Sequence, residues 1–474
     1  MTRAISVRNP RTGKTDYRFT PPSEAELAGT AARLRAAQPG WASLSIEERL
    51  ARLVSWAHIM AREIDAIAAA LEADTGRRRV ARMEVQGACA SIRGWAAGAP
   101  ALAPKADWTP GRSNPALKHS GQYIPYPLVG VISPWNFPLT LSLIDAIPAL
   151  AAGCAVLIKP SEVTPRFAEP VAASIAEAGL SDLIAFAPGA GETGQQVIAV
   201  SDLICFTGSV PTGRKVAAAC AGRLIPAFLE LGGKDPLIIT RSADLELAVR
   251  AALRGSVLST GQACQSIERI YVDRAIHDAF LERLVQAAEG VRLNWPDITQ
   301  GEIGPIIFEK QADLIAGQIK DAKSKGARVH TGGKVERHGG GLWIRPTVLS
   351  NVDHTMAVMT EETFGPVLPV MGFEDVDEAV ALANDTVYGL SAAVFAGDLD
   401  EAEAIARRLE AGAVSLNDAA LTALFYEAEK QSFRQSGLGP SRMGAAGLTR
   451  FYRRQALIAN TGAPAPLAAF REEG

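Results

Sequence analysis

Short apolar runs alternate with longer amphipathic segments through the middle of the chain. The first group of runs covers residues 130–132, 155–158, 183–186 and 203–206. Short continuous apolar runs are typical of strands buried on both faces, and the segments between them are long enough for helices. This alternation predicts an α/β fold with a doubly wound parallel sheet.

The same alternation begins again after Gly233. Apolar runs at residues 237–239 and 270–272 predict further strands, and the segments at residues 245–258 and 276–291 predict the helices that follow them. We therefore expect a second α/β domain in this part of the chain.

The first hundred residues have a mainly helical pattern instead. Ser23 and Ser45 each have a Glu three residues later, which is the spacing of a capping box, and each precedes an Ala- and Leu-rich segment. We expect helices from these caps to about residues 40 and 76. Residues 108–127 mix Pro, Gly, Ser and Asn with Tyr, and they predict an extended ribbon that leaves the domain.

Composition narrows the class of protein. The length of 474 residues suits two or three domains, and 48 Lys and Arg nearly balance 51 Asp and Glu. Because the charges balance, the sequence has no excess of basic residues that would indicate binding to nucleic acid or to an anionic membrane. A small-molecule partner is therefore favoured. Residues 128–158 are the most apolar region, but prolines and an Asp interrupt them, and we expect buried core there rather than a membrane span.

The cysteines indicate the compartment. Five are present without the spacing of a zinc site or a disulfide framework: Cys89, Cys154, Cys205, Cys220 and Cys264. We therefore expect a reducing cytoplasm and no metal. The polar residues 1–22 contain no apolar stretch typical of a signal sequence.

Cys264 is the candidate nucleophile. Its Gly-Gln-Ala lead-in allows a tight turn, so that the thiol and its own N–H can face one reacting carbonyl. A single Cys near a helix end is more often a small buried hydrophobe. Two other residues favour catalysis: Glu230, followed closely by Gly232 and Gly233, and Asn136, which lies between prolines and aromatic residues and could donate to an oxyanion.

Two loops that follow predicted strands could bind a dinucleotide. The loop at residues 206–213 opens a helical segment whose N–H groups would face a pyrophosphate, although its glycines differ from the G-x-G-x-x-G spacing. Lys159 and Glu162 end another strand and could hold both hydroxyls of an adenosine ribose. An ordinary glycine turn and a solvated loop are the alternatives.

These residues resemble the aldehyde dehydrogenase superfamily of NAD(P)-dependent enzymes, over residues 130–417. Six motifs stand in the family's order and spacing: Pro134-Trp135-Asn136-Phe137-Pro138, Lys159-Pro160-Ser161-Glu162, the turn from Gly208 to Gly213, Glu230-Leu231-Gly232-Gly233-Lys234, Gly261-Gln262-Ala263-Cys264 and Glu361-Glu362-Thr363-Phe364-Gly365-Pro366-Val367. The resemblance implies that Glu362 holds the nicotinamide ribose and that Phe364 packs beside the nicotinamide ring.

The resemblance also implies a mechanism. Cys264 attacks an aldehyde, hydride passes to the nicotinamide, and Glu230 activates the water that hydrolyses the thioester, while Asn136 stabilises the oxyanion. The implied cofactor is NAD, with NADP possible. Its expected contacts are Ile132, Pro134, Trp135, Lys159, Ser161, Glu162, Gly208, Ser209, Gly213, Leu231, Gly232, Glu362 and Phe364. NAD+ is expected to be preferred, because Glu162 would repel a 2′-phosphate.

The expected aldehyde is apolar, either aromatic or medium-chain aliphatic. Leu141 and Ile144 share one face of the helix after Asn136, and the family counterpart of this helix lines the aldehyde tunnel. Gln265 is a further candidate contact. Neither it nor the other neighbours of Cys264 in sequence carry the cation that a substrate carboxylate would need.

Beyond residue 417 the chain departs from the family pattern. Family members often continue with Pro-Phe-Gly-Gly and then Ser-Gly-x-Gly-Arg-Glu, whereas residues 430–443 read Lys-Gln-Ser-Phe-Arg-Gln-Ser-Gly-Leu-Gly-Pro-Ser-Arg-Met. The alternative substrate is therefore a semialdehyde whose carboxylate binds Arg434 or Arg442.

Two other classes of protein are less favoured. A cysteine-dependent acyl hydrolase needs a base near Cys264, and only His277 lies in the same region. A catalytically silent structural protein on this fold would be expected to have lost at least one of Cys264, Glu230 or Asn136.

The family fold implies a division of the chain. Residues 1–107 and 126–232 would form a Rossmann-type NAD(P)-binding domain, and residues 233–433 the catalytic domain. Residues 108–125 and 451–460 would be strands of a small β element that reaches across to a partner subunit. Since a monomer would leave that edge unpaired, we expect a homodimer or homotetramer.

Overall fold

The computed structural model describes residues 3–472. The N-terminal part consists of β1 (Ile5–Arg8), β2 (Thr15–Phe19), α1 (Glu24–Ala42), α2 (Ile46–Arg62), α3 (Ile64–Thr75) and α4 (Arg78–Leu102). Both capping boxes form, at Ser23 and at Ser45. Two features differ from expectation: the polar N-terminus forms a hairpin, and the second helical segment is divided at Glu63, whose backbone leaves the helical region.

The next part of the chain supplies the extended ribbon and the first large sheet. Its elements are β3 (Thr109–Pro110), β4 (Leu117–Pro125), β5 (Leu128–Ile132), α5 (Pro138–Ala152), β6 (Ala155–Lys159), α6 (Ala168–Glu177), β7 (Ile184–Phe186), α7 (Gly191–Val200), β8 (Leu203–Thr207), α8 (Val210–Gly222) and β9 (Ala227–Glu230). Almost every residue of β5, α5 and β6 is buried, as expected for the most apolar region.

The remaining elements form the second large sheet and its cover. They are β10 (Asp235–Ile239), α9 (Leu245–Val257), β11 (Ile267–Asp273), α10 (His277–Glu289), α11 (Glu309–Ser324), β12 (Arg328–Thr331), β13 (Val335–His338), β14 (Gly341–Ile344), β15 (Thr347–Ser350), α12 (Ala357–Thr360), β16 (Val367–Phe373), α13 (Val376–Asn384), β17 (Ser391–Phe395), α14 (Leu399–Ala406), β18 (Ala413–Leu416), β19 (Gly437–Leu438), α15 (Ala446–Thr449) and β20 (Tyr452–Asn460).

The first sheet is doubly wound. Its parallel strands stand in the order β9-β8-β5-β6-β7, and β19 is added antiparallel beside β9. Helices α2 to α6 pack on one face, and α1, α7 and α8 pack on the other. The strand order reverses between β5 and β8, and sheets of this type bind ligands at such a point, beyond the carboxyl ends of the strands.

The second sheet has the order β12-β15-β16-β11-β10-β17-β18 and is parallel except for β12. Helices α9 and α10 cover one face, and α11 to α14 cover the other. The alternation predicted after Gly233 is therefore present in this sheet.

A third, small sheet contains the ribbon. β4 pairs antiparallel along its whole length with β20, and β3 adds a short strand on the other side. Leu457 and Ile458 on β20 are exposed, at 40% and 71%. No helix within residues 3–472 combines the length and the apolar character that crossing a membrane requires.

Candidate active site

Cys264 lies on a tight loop between α9 and β11. Directly after α9, Ser259, Thr260 and Gly261 have φ angles of 57°, 61° and 66°, all in the left-handed region. Gly261 also permits a close approach, since a Cβ there would lie 2.4 Å from the carbonyl group of Gly365. The loop brings Cys264, which is only half-buried, to the wall of a large cavity.

A buried glutamine fastens this loop to a neighbouring segment. Gln262 Nε2 donates to the carbonyl oxygen of Pro305 at 3.1 Å, and its Oε1 accepts from the N–H of Ile307 at 2.9 Å. Thr260 Oγ1 donates to the carbonyl oxygen of Gly304 at 3.0 Å and accepts from its N–H at 3.1 Å. Because left-handed residues other than Gly are strained, these bonds are what keeps the thiol in position.

Asn136 lies on the loop between β5 and α5 and faces the Cys264 loop. Its buried Nδ2 donates to the carbonyl oxygen of Gln262 at 3.0 Å. An amide nitrogen has two N–H donors. Within residues 3–472 the second donor of Asn136 and the N–H of Cys264 have no hydrogen-bond acceptor. Both residues border the same cavity, so a pair of donors is available to an oxyanion there.

Two buried ionisable residues that sequence analysis missed hold the Asn136 loop. Arg77 donates to the backbone oxygen of Asn136. Glu84 on α4 accepts from the N–H groups of Leu139 and Thr140 at 3.1 and 3.0 Å and so caps α5. Burial raises the pKa of Glu84 to about 7. No local motif could reveal these residues, because they are far from the loop in sequence.

Burial and a neighbouring cation have opposite effects on the pKa of the Cys264 thiol. Burial raises the pKa of Cys264 to about 11, and the ammonium of Lys430 is the main influence that lowers it. No histidine within residues 3–472 hydrogen-bonds to the thiol, and His277 contacts Asp278 on α10. The base of a Cys-His hydrolase is therefore missing from this geometry.

Glu230 is the last residue of β9. Its carboxylate accepts hydrogen bonds from two residues of the segment 430–443, where the sequence departs from the family pattern. Oε2 accepts from Lys430 Nζ at 3.2 Å and from Ser432 Oγ at 2.9 Å. Burial alone would raise the pKa of Glu230, but Lys430, Arg442 and these hydrogen bonds lower it below its ordinary value. In this position Glu230 is ionised at neutral pH, and it does not line the cavity that Cys264 borders.

A cavity of about 680 Å³ runs from Cys264 to the first sheet. It brings together twelve of the residues expected at the cofactor: Ile132, Pro134, Trp135, Lys159, Ser161, Glu162, Gly208, Ser209, Leu231, Gly232, Glu362 and Phe364. Gly213 lies beneath the wall, where a Cβ would be 2.5 Å from the side chain of Leu231. Glycine at this position therefore lets α8 approach the wall closely.

The cavity fits a dinucleotide in two respects. Ser209 precedes α8 and does not cap it through its side chain, so the N–H groups of Val210 and Thr212 remain available to a pyrophosphate, whereas Pro211 has none. Lys159 and Glu162 form an ion pair of 3.3 Å at the end of β6, and both side chains line the cavity, where they could hydrogen-bond to the hydroxyls of a ribose. Lys159 is nearly buried, whereas 40% of the Glu162 side chain is exposed.

The other end of the cavity is formed by residues 362–364. Glu362 Oε1 accepts from the N–H of Gly233 at 3.1 Å, and burial raises the pKa of Glu362 to about 8. The ring of Phe364 lies edge-on to Trp135, with 5.3 Å between ring centroids. Glu362 and Phe364 are the residues that the resemblance implies at the nicotinamide ribose and ring, and both line the cavity.

The candidate substrate residues are placed differently from one another. Leu141 lines the cavity, and Ile144 is half-buried on the same helix without reaching it. Gln265 Oε1 accepts from Thr422 Oγ1 at 2.6 Å and likewise lies outside the cavity. Of the three, only Leu141 is in contact with the space beside Cys264.

Neither expected anchor arginine is free. Arg434 forms an ion pair with Glu410 and donates to nearby carbonyl oxygens on the outer surface. Arg442 is buried beside the site, but Asp145 at 3.0 Å and Thr207 Oγ1 at 2.7 Å engage it. The cation that sequence analysis missed is Lys430. It contacts Glu230, which lies 200 positions away in the chain.

The chain belongs to the aldehyde dehydrogenase family, whose model matches residues 1–457. A putative succinate-semialdehyde dehydrogenase [NADP(+)] from Mycolicibacterium smegmatis is 40% identical over 91% of this chain and 84% of its own length. A betaine aldehyde dehydrogenase from Mesorhizobium japonicum is 36% identical over 97% and 94% of the two chains. The chain is thus an NAD(P)-dependent dehydrogenase of aldehydes.

Solved structures agree with this assignment. A putative aldehyde dehydrogenase, PutA, from Anabaena variabilis is 53% identical, with a TM-score of 0.95 over 98% of this chain and 99% of the other. Betaine aldehyde dehydrogenase from Staphylococcus aureus in complex with NAD+ is 30% identical, with a TM-score of 0.91 over 99% and 94%. The two-sheet α/β architecture is therefore that of the family.

Proposed function

We propose that this aldehyde dehydrogenase acts through a covalent thioester on Cys264. The thiolate attacks the aldehyde carbon, and the second N–H of Asn136 and the backbone N–H of Cys264 stabilise the oxyanion of the thiohemiacetal. NAD(P)+ supplies the hydride acceptor. Glu230 then removes a proton from the water that hydrolyses the thioester, and the acid is released. The observation that carries this assignment is the convergence of Cys264 and Asn136 on one cavity. Glu230 is near enough for its charge to act on the thiol.

We further propose that the physiological aldehyde has a carboxylate at its far end. A buried cluster near Cys264 consists of two ion-pair groups: Lys430 with Glu230, and Arg442 and Arg450 with Asp145. Among the charged groups that act on Cys264, which include the carboxyl groups of Asp235, Glu230 and Glu362, Lys430 is the main cation, and its ammonium is the group that would bind an anionic substrate. The name of the Mycolicibacterium relative supports the same class.

An apolar aldehyde is the second candidate, supported by Leu141 on the cavity wall. Formation of NAD(P)H with succinic semialdehyde, hexanal, benzaldehyde and betaine aldehyde discriminates the candidates. We expect the highest kcat/KM with the semialdehyde. A clear preference for hexanal or benzaldehyde would instead assign the apolar class.

The same proposal assigns a role to each part of the chain. Residues 1–107 and 126–232 bind the cofactor, residues 233–433 carry the nucleophile, and residues 108–125 and 451–460 join subunits. The paired strands β4 and β20, with exposed Leu457 and Ile458, support a homodimer or homotetramer. The five cysteines are unpaired, which supports a cytoplasmic location.

A further inference from the structure

Lys430 is a nearly buried cation with few partners. Its side chain is 8% exposed, and within residues 3–472 its Nζ contacts only Glu230 Oε2 at 3.2 Å and Ser432 Oγ at 3.5 Å. An ammonium has three donors, and charge-assisted hydrogen bonds are usually about 2.7–2.9 Å long. Two long contacts therefore leave this buried ammonium able to take a better acceptor.

The other two cations of the cluster share one carboxylate. Arg442 and Arg450 both bind the carboxylate of Asp145, and Arg442 also donates to Thr207. A single carboxylate thus fixes two guanidinium groups. Lys430, held by two long contacts, is therefore the cation of the cluster that can most readily change its partner.

Lys430 is not one of the residues that line the cavity, but it is near enough to the reacting centre for its charge to act on the thiol. Among the charged groups around Cys264, its ammonium is the main one that favours the thiolate. In succinic semialdehyde, the aldehyde and carboxylate carbons are three C–C bonds apart, about 4 Å when extended. In an aldehyde attached to Cys264, the carboxylate carbon would lie about 4 Å from the reacting carbon, in the region where the charge of Lys430 acts on the thiol.

We propose that Lys430 is the substrate-specificity residue, binding the far carboxylate of the aldehyde at the position that Glu230 occupies in the free enzyme. This inference rests on the proposed carboxylate-bearing substrate. It has a consequence for the order of events. When the substrate carboxylate forms an ion pair with Lys430, it replaces Glu230 as the partner of that ammonium. Glu230 is then free to activate water near the thioester.

The test compares substrates in two variants. Lys430→Met keeps the length of the side chain and removes its charge, and Lys430→Arg keeps the charge. Succinic semialdehyde and butanal are matched in carbon number and differ in the carboxylate. For Lys430→Met we expect kcat/KM with succinic semialdehyde to fall at least about 30-fold more than that with butanal, mainly through KM, while kcat falls with both aldehydes because Glu230 and Cys264 lose a neighbouring cation. Lys430→Arg should retain most of the preference.

Arg434→Met is the matched control, because it removes a cation of the same segment that is bound to Glu410 outside the cavity. It should leave the substrate preference unchanged. Thermal unfolding and binding of NADH show whether Lys430→Met folds. If it does not, Lys430→Gln replaces it, and its kinetics are compared with those of Lys430→Arg.

The outcomes separate the two proposals. A wild-type enzyme that prefers butanal overturns the proposed substrate class itself. A wild-type preference for the semialdehyde that survives in Lys430→Met overturns only the role of Lys430. Equal losses with both aldehydes also overturn it, because Lys430 would then act through Glu230 alone.

Discussion

Lys234 Nζ lies 2.7 Å from the carboxylate of Glu268, and both side chains are buried. Glu268 also accepts from the N–H groups of Thr363 and Phe364, each at 2.7 Å. Phe364 is in the left-handed region at φ 51°, so this carboxylate fixes a strained segment at the cofactor cavity. One buried ion pair thus connects the second sheet to the residues expected at the nicotinamide.

Glu268→Gln should therefore weaken both folding and cofactor binding. It leaves the buried ammonium of Lys234 without its counter-charge, which costs about 3–5 kcal/mol of folding free energy. Thermal unfolding and NADH titration measure the two effects. Glu246→Gln, which removes an exposed partner of Arg250 on α9, should change stability by less than about 0.5 kcal/mol. Unchanged NADH affinity in Glu268→Gln would show that the segment does not depend on this pair.

Cys264→Ser should abolish dehydrogenation while NADH binding survives. The hydroxyl is a much weaker nucleophile, and no histidine within residues 3–472 contacts this position to activate it. Cys89→Ser is the control, because a serine there can keep the hydrogen bond to the carbonyl oxygen of Ala57. Turnover above about 1% of wild type in Cys264→Ser would eliminate Cys264 as the sole nucleophile.

Alkylation of Cys264 in the cofactor-free enzyme should depend steeply on pH. With its pKa raised to about 11 by burial, the thiolate fraction rises about tenfold per pH unit from pH 7 to 9.5. Inactivation rates with iodoacetamide measure this fraction. A plateau that begins below about pH 8.5 would mean that the thiol is activated in the free enzyme.

NAD+ should be preferred over NADP+, and Glu162→Ser should shift the ratio of their kcat/KM values at least about tenfold toward NADP+. The carboxylate of Glu162 would repel a 2′-phosphate, while Lys159 would remain to bind it. Glu169→Ser, at an exposed position of α6, is the control. A wild-type preference for NADP+ would contradict the prediction, and the partly exposed Glu162 would then have turned away from the phosphate.

The fold was predictable where local signals are strong. Residues 155–158 form a buried strand because a continuous apolar run suits a parallel sheet covered on both faces. Ser23 and Ser45 begin helices because their capping boxes satisfy free N–H groups locally. The hairpin of β1 and β2 was missed because its strands are polar and half-exposed, without the alternation of a buried face.

The sequence motifs predicted which segments form the site, but they did not predict which charged side chains contact one another there. The cavity brings together residues from six segments, which the motifs had located one by one. The contact of Lys430 with Glu230 joins positions 200 residues apart, so inspecting the neighbours of Cys264 in sequence could not find a cation. The pairing of Arg442 with Asp145 was hidden for the same reason.

A rapid-mixing measurement on Glu230→Gln tests the central claim most directly. If Glu230 serves only to activate water for the thioester, hydride transfer precedes its action. The variant should then release a burst of about one equivalent of reduced cofactor per active site and stall with the acyl group on Cys264, detectable as a mass increase of the protein. Absence of both burst and turnover would contradict this order of steps, and steady turnover at the wild-type rate would show that another base hydrolyses the thioester.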